Sequence, residues 1–506
     1  MRLIHASTYQ IHFFEERLPI TTAGRYAILS HTWGASETSF KQFQKLLLSA
    51  KLISANVDPN RTGLWKIQMA CQQALADGLE YVWVDTCCID KTSSAELSEA
   101  INSMFRWYQN ATVCYAYLDD IEAEHSSERR FDTTTMLLPS ETHSLGGSGS
   151  ISVDQMSRAR WFSRGWTLQE LIAPKQVRFY DKKWCLVGTK QSLEPLLSHV
   201  TGIDGRTLRG ASLAQTSVAR RMSWAARRIT TKIEDMAYCL LGIFGVNMTM
   251  QYGEGMKAFV RLQEEIMKDS SDQSLFAWQQ SPPTGDISSL QDIRSLDQGR
   301  SIFARHPLDF SASGSIERFQ NSGKAYSLTN MGVHIELPIL PLQLPYLPRH
   351  VSNTLPHHHP LQMAIMKCTF CGDRNALVGV VLQQVDQHAR QFVRHDTAAL
   401  RPVTQDQYVD APLRKVYLCK NPPDLGLMLI TQSEAYSKLS KSRMKAKLQS
   451  LHTISRETLS ITPPDNNHHA ITEHPTRFPV LTPTYHKTSR LAAILPCTIK
   501  PPLYEQ

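Results

Sequence analysis

The sequence contains no apolar run long enough to cross a membrane. The longest, Met236 to Met248, is broken by Gly242, Gly245 and Asn247 and falls short of the ~18 residues that a span requires. The amino terminus lacks the apolar core of a secretion signal and already carries Glu15 and Glu16. A soluble, cytoplasmic protein with no membrane span is therefore expected. Several chemical signatures are missing as well. No phosphate loop occurs, and no Gly-x-Gly-x-x-Gly joins a strand to a helix; the nearest glycine cluster, Tyr252-Gly-Glu-Gly255, has no such context. Nucleotide hydrolysis of the phosphate-loop kind thus has no support. His-Glu-x-x-His and Gly-x-Ser-x-Gly are also absent, so neither a metalloprotease nor a serine hydrolase has a local motif. Cys368-Thr-Phe-Cys371 has the spacing of half a zinc site, but no second cysteine pair follows and only His357-His358-His359 lies near. Two strand cysteines beside a proline-flanked loop is the plainer reading, and no metal or resident cofactor is expected. No repeat of solenoid or propeller period is found.

Charge and cysteine usage narrow the setting further. Lys and Arg number 54 against 46 Asp and Glu, a net charge of +8 that is modest for 506 residues. The one tight basic run, Lys438 to Lys447, reads as a solvated helix face or tail rather than a nucleic-acid surface, which would interleave aromatics with its charge. No nucleic-acid partner is expected. Ten cysteines are scattered irregularly, several of them (Cys71, Cys114, Cys239) inside apolar patterns where a reduced thiol acts as a small hydrophobe. With 42% hydrophobic residues the chain can build a true core, and its length calls for two or three domains.

What is present is a run of alternating strand and helix signals. Tyr26 to Ser30 is an apolar strand, Leu64 to Leu75 repeats at helical spacing, and Tyr81 to Asp85 is a second strand. Ser93 and Glu96 have the spacing of a capping box ahead of an amphipathic helix, and a third strand spans Ala111 to Leu118. The pattern fails from about residue 122 to 155, where Gly146 to Ser150 marks a flexible insertion. It resumes with one helix from about Ser157 to Ile172, stopped by Pro174, and a strand from Val177 to Tyr180. Such alternation predicts an α/β fold with a parallel sheet flanked by helices. A helical extension follows over about 218–268. Residues 281–430 read as a smaller β-rich domain with strands at Tyr326–Leu328, Val333–Leu337, Leu377–Leu382 and Lys415–Leu418, and 431–506 as a basic, Pro- and His-rich, poorly ordered tail.

Two strands run directly into polar loops, Ser30-His31-Thr32-Trp33-Gly34 and Asp85, at the sheet edge where open α/β sheets gather their ligands. On one continuous helix Glu170 shares a face with Ser163, Trp166 and Thr167, while Trp161, Leu168 and Ile172 lie opposite. A carboxylate beside an indole and two hydroxyls can stabilise positive charge developing at carbon, as in glycosidic cleavage. It can equally pair with Arg164 or Arg178. Trp33 and Trp166 are stacking platforms or core anchors, Asp85 a hydroxyl ligand or a turn cap, and His31 a proton carrier or a loop hydrogen-bonding group.

Ala27-Ile-Leu-Ser-His-Thr-Trp-Gly34, Trp83-Val-Asp-Thr-Cys-Cys-Ile-Asp-Lys91 and Arg164-Gly-Trp-Thr-Leu-Gln-Glu-Leu-Ile-Ala-Pro174 resemble the signature blocks of the fungal heterokaryon incompatibility (HET) domain. The resemblance continues through Arg221–Ala226, Glu234–Phe244 and Tyr252–Gly255 to Arg261–Ile266, roughly half of the chain. It implies a HET domain over 1–270 and a part in non-self recognition that ends in programmed cell death, a form of innate immunity. An incompatibility partner protein, not identified by the sequence, and self-association through the HET domain are implied with it. HET domains are also distantly similar to TIR domains, some of which cleave NAD with a glutamate. Ser163-Arg-Gly-Trp-Thr-Leu-Gln-Glu-Leu171 looks like the TIR helix that carries that glutamate, with one added residue and a threonine in place of cysteine. This resemblance implies a TIR/flavodoxin-like sheet, NAD as substrate, Glu170 as the catalytic residue, and Ser30, His31, Trp33, Gly34, Asp85, Ser163 and Trp166 as substrate-binding residues. An interaction module that recruits a separate executioner is the alternative.

Overall fold

The central strands form because Tyr26–Leu29, Tyr81–Val84 and Val113–Tyr117 are short apolar runs, rich in β-branched and aromatic residues, that end at polar loops. A computed structural model describes residues 1–14, 25–48, 63–123, 151–280, 301–319, 325–342, 361–370, 373, 375–386, 390–395 and 400–421. The inner strands are β1 (Arg2–His5), β3 (Tyr26–His31), β4 (Tyr81–Val84), β5 (Val113–Tyr117) and β6 (Val177–Tyr180), with β2 (Ile11–Phe13) and β7 (Leu186–Thr189) at the edges. Their order in the sheet is β2-β1-β4-β3-β5-β6-β7. The four strands β4, β3, β5 and β6 are mutually parallel, whereas β1, β2 and β7 join antiparallel. The sheet is thus mixed, not purely parallel. Its three antiparallel strands are three or four residues long, too short to leave a periodic signal in the sequence.

Every residue of β3 is buried, as expected for a central strand covered on both faces. After α1 (Phe40–Leu48), α2 (Gly63–Ala76) lies on one face, and its Trp65 meets Tyr117 of β5 at 5.7 Å between ring centroids. On the other lies α3 (Ser94–Asn110), whose Trp107 and Tyr108 pack edge-on against Trp83 at 5.6 and 5.8 Å. The hydroxyl of Ser93 caps α3 by accepting from the Glu96 amide at 3.3 Å. Only half of the expected capping box forms: the Glu96 carboxylate instead accepts from the Asp90 amide at 2.8 Å and pairs with Arg2, fastening α3 to the first strand.

The expected single helix over 157–172 is three short ones, α4 (Val153–Arg158), α5 (Arg160–Ser163) and α6 (Thr167–Ile172). The interruption has a tertiary cause. Arg164 bridges in parallel to Ile229, with the Ile229 amide donating to the Ser163 carbonyl at 2.7 Å and the Gly165 amide to the Ile229 carbonyl at 2.9 Å. The helical block is likewise a series of short pieces, α9 (Val218–Ser223), α10 (Asp235–Tyr238), α11 (Leu241–Phe244) and α12 (Lys257–Asp269), after α7 (Glu194–Thr201) and α8 (Gly205–Leu208).

A second sheet holds β8 (Ile316–Arg318), β9 (Ser327–Thr329), β10 (Gly332–Pro341), β11 (Leu361–Phe370), β12 (Leu377–Asp386), β13 (Gln391–Arg394), β14 (Arg401–Val403) and β15 (Leu413–Leu418), with the short α13 (Gln405–Asp410) ahead of β15. Strands β10, β11, β12, β13 and β15 close on themselves as a barrel, because β11 pairs with both β10 and β12 while β15 pairs with both β10 and β13. The sequence marked strand β11 only through Cys368: Gln362 to Thr369 are buried apart from Lys367, so no alternation betrays the rest. The barrel is pinned to the helical block by Arg394, which is buried over the Trp278 ring at 3.7 Å and donates to the carbonyls of Phe276, at 2.9 Å, and Trp278. Residues 1–421 make one compact unit with a hydrophobic core running through both sheets. The expected insertion falls mostly on 124–150, the interval between the sheets on 281–300, and the tail wholly beyond 421; all three lie outside the described residues, as do His357–His359 and Cys371.

Helix α11 touches α3 where Gly242 lies against Phe105, and a Cβ at Gly242 would stand 2.0 Å from the Phe105 Cβ. Gly242→Ala is expected to lower unfolding free energy by about 1–3 kcal/mol through overpacking. Urea denaturation checks this.

Candidate functional site

Successive residues of a strand project to opposite faces, and β3 ends in Ser30 and His31. The two side chains therefore enter different environments. Ser30 shares its face with Ile28, Trp83 and helix α3, and its hydroxyl donates to a carboxyl oxygen of Glu170 on α6. The Trp161 indole donates in turn to the Ser30 oxygen at 2.8 Å. The Tyr108 hydroxyl, 3.3 Å from the Leu29 carbonyl, also faces the carboxyl. Trp161 was expected opposite Glu170. The break at 164–166 rotates α5 relative to α6 and brings the two into one network.

Glu170 is only 8% exposed and makes no ion pair among the described residues. Burial pushes its carboxyl up to about 8, an effect that Asp85 strengthens and that the hydrogen bonds of Ser30 and Tyr108 and the charge of Arg228 oppose. At neutral pH it is chiefly the neutral acid. Neither candidate arginine pairs with it: Arg178 holds Asp77 at 2.8 Å, and Arg164 reaches Thr231 at 2.9 Å. The third arginine of the region, Arg228, had no local signal in the sequence. Its guanidinium is buried and donates to the Arg164 carbonyl and the Thr167 hydroxyl, both at 2.9 Å, and to the Trp224 carbonyl at 3.2 Å. Gly165 is required in this turn because a Cβ there would lie 2.5 Å from Thr230 Cγ2.

At its other end α6 is closed by Lys190, whose ammonium donates to the carbonyls of Leu171 at 3.1 Å and Pro174 at 2.5 Å. Burial lowers this lysine to about 8.

His31 shares the opposite face with Tyr117 and helix α2. Its Nε2 lies 3.4 Å from Glu37 and 4.0 Å from Asp85, and its side chain is 1% exposed. Nδ1 finds no hydrogen-bond partner among the described residues. Burial alone would raise the Glu37 carboxyl; the hydrogen bond and charge of His31, the Lys66 ammonium at 2.6 Å and the Gly34 amide at 2.7 Å outweigh it and hold the group at about 2. Lys66 also donates to the Thr32 carbonyl at 3.0 Å. Trp33 is 53% exposed, its indole anchored to Asp85 at 2.9 Å and its ring 3.6 Å from the Lys91 ammonium.

The expected residues thus fall into groups. Ser30 and Glu170 are joined directly; His31, Trp33, Gly34 and Asp85 form a charged rim on the other side of β3. Among the described residues the side chains of Ser163 and Trp166 join neither cluster, since Ser163 donates to the Arg160 carbonyl at 2.8 Å and Trp166 to Asp235 at 3.4 Å. Sequence reasoning missed Tyr108, Arg228, Glu37, Lys66 and Lys91. Lys91 stood in a recognised block and Tyr108 on the apolar stripe of the helix after Ser93, while the other three had nothing beyond residue type to mark them.

The raised Glu170 carboxyl sets a pH dependence. Below about 4.5 the acid is neutral in both folded and unfolded chains; between there and about 8 only the unfolded chain ionises, so stability falls as pH rises. The difference is on the order of 5 kcal/mol across that window. Glu170→Gln should remove this decline, seen as a flatter dependence of urea midpoint on pH than the wild type shows.

Residues 26–170, from the first buried residue of β3 to the carboxyl itself, match the family model described as Heterokaryon incompatibility protein (HET). Residues 257–418 match a model described as Domain of unknown function (DUF8212). The chain is similar to Vegetative incompatibility protein HET-E-1 of Podospora anserina, 44% identical over 255 residues, which is 50% of this chain and 17% of that protein. No solved structure matches. Residues 26–170 thus carry a match to the heterokaryon incompatibility (HET) domain, and that match ends on the glutamate that the fold has buried.

Proposed function

We propose that the protein is an effector of heterokaryon (vegetative) incompatibility that triggers regulated cell death on non-self recognition, with NAD glycohydrolysis at Glu170 as its chemistry and a latent form as its resting state. The observation that carries this is the Glu170 carboxyl, buried and chiefly neutral against Ser30 at the end of the central strand. The name of the similar Podospora protein supports the incompatibility role. The parallel strands support a TIR/flavodoxin-like reading: numbered by their own sequence they run 2-1-3-4, and such sheets take ligands at the carboxyl edge between the first and third strands, where Ser30 lies.

A neutral acid cannot stabilise an oxocarbenium-like state; a carboxylate can. Self-association that draws α6 away from Ser30 and Trp161 would let water reach the carboxyl, return it to its ordinary acidity and so generate the charge. Opening and ionisation are then one event. In the open form the bond from ribose to nicotinamide breaks, nicotinamide leaves with its electron pair, and water adds to the ribose carbon with loss of a proton. NAD is substrate here, not a resident cofactor, and an incompatibility partner protein supplies the trigger.

A second reading, an interaction module that recruits a separate executioner, draws on the same burial, because a satisfied core carboxyl can serve structure alone. The full chain, wild type and Glu170→Gln, expressed in fungal cells with NAD, viability and self-association followed together, separates them. The variant should stay folded and self-associating while NAD consumption falls by ~10²–10³ and killing is lost. Undiminished killing by the folded variant would remove the enzymatic reading.

A further inference from the structure

Helix α6 is six residues long and entirely buried, too short to hold its own geometry. Something outside it must fix the direction in which Glu170 points. At its start the chain turns from the extended Arg164 through Gly165 to the helical Trp166, and the side chain that closes this turn is Arg228. One nitrogen of the guanidinium bonds both the Arg164 carbonyl and the Thr167 hydroxyl, while Nε returns to the Trp224 carbonyl. The neighbouring Ile229 supplies the two backbone bonds that interrupt the helix. The guanidinium is thus spent on the backbone and one hydroxyl, with no carboxylate in contact among the described residues.

The groups that face Glu170 are the hydroxyls of Ser30 on β3 and Tyr108 on α3, the thiols of Cys114 on β5 and Cys239 after α10, the carboxylate of Asp85 after β4, and Arg228. Lys190 packs against the far end of α6 and is occupied by the carbonyls of Leu171 and Pro174. Of the groups facing the carboxyl, Arg228 is the cation. Burial makes this guanidinium less basic, lowering it to about 10, an effect that the neighbouring Cys239 and Glu170 oppose.

We propose that Arg228 is the positioning residue of Glu170: its guanidinium fixes the turn from which the carboxyl-bearing helix starts, and so sets where the carboxyl meets Ser30. This deepens the reading of Glu170 as the working acid and rests on it. The block Arg221–Ala226 and the residues after it then have a defined task, which is to shape the seat of a group more than fifty positions upstream. Arg221 provides the contrast. It is also buried and carbonyl-bound, to Ile243 at 3.0 Å, and stacked over Phe244 at 4.6 Å, but it is not among the groups that face Glu170.

The test is the titration of Glu170 in the full chain, read from the infrared band of its protonated carboxyl and assigned by its absence in Glu170→Gln. In Arg228→Gln the midpoint should rise by roughly one pH unit, a tenfold loss of ionised carboxyl at fixed pH. Arg228→Lys keeps the charge but cannot bind the turn and the Trp224 carbonyl at once, so its midpoint should fall between wild type and Arg228→Gln. Arg221→Gln should lower the melting temperature and leave the midpoint in place. Midpoints unchanged in both Arg228 variants, with stability lost as in Arg221→Gln, would overturn the proposal. If Arg228→Gln does not fold, Arg228→Lys decides alone: a raised midpoint supports the proposal and a wild-type midpoint refutes it. Since no NAD turnover enters this measurement, failure to consume NAD would count against the enzymatic reading and leave the role of Arg228 standing.

Discussion

Two buried cations hold a six-residue helix at its two ends, and the placement of Glu170 depends on them. Arg228 binds the turn ahead of Thr167, and Lys190 binds the carbonyls that emerge after Leu171. Helix ends leave backbone groups without intrahelical partners, and a short helix is mostly ends. Supplying donors from elsewhere in the fold satisfies those carbonyls and offsets part of the cost of burying the charges. Both cations are made less basic by burial, to about 10 and about 8, yet each remains chiefly charged at neutral pH.

The same device recurs away from α6. Arg221 binds the Ile243 carbonyl at the end of α11, and Arg394 binds the carbonyls of Phe276 and Trp278 across the junction between barrel and helical block. Arginine and lysine thus act here as internal fasteners between pieces of backbone too short to fix themselves. A core made of many short helices needs such fasteners more than a bundle of long ones does, because each break exposes a new set of unpaired groups.

The central strand also separates two kinds of chemistry. On the Ser30 side an indole, a phenol and a hydroxyl surround a neutral acid with little water. On the His31 side Glu37, Asp85, Lys66 and Lys91 form a charged rim that includes an exposed indole. Asp85 is electrostatically common to both, since it disfavours ionisation of Glu170 while contacting Trp33 and His31. This division follows from the two-residue period of a strand, and it sorts neighbours in sequence onto opposite sides of the sheet.

The sequence by itself determined the main strands and the long helices. Tyr81–Val84 and Val177–Tyr180 lie where the apolar runs place them, and Ser93 caps α3 as its position requires. These elements depend on local dihedral preference and periodic burial, which are written in consecutive residues. The edge strands β2 and β7 were too short to show a period, and β11 was buried on both faces and showed none. Only the tertiary structure decided the rest: the helix over 157–172 is broken by a segment centred on Ile229, more than fifty positions away, and Trp161 turns toward Glu170 as a result. It also decided that Glu170 is a neutral acid. Ionisation depends on how much water the assembled fold removes and which charges it brings near, and neither quantity is carried by the order of residues along the chain.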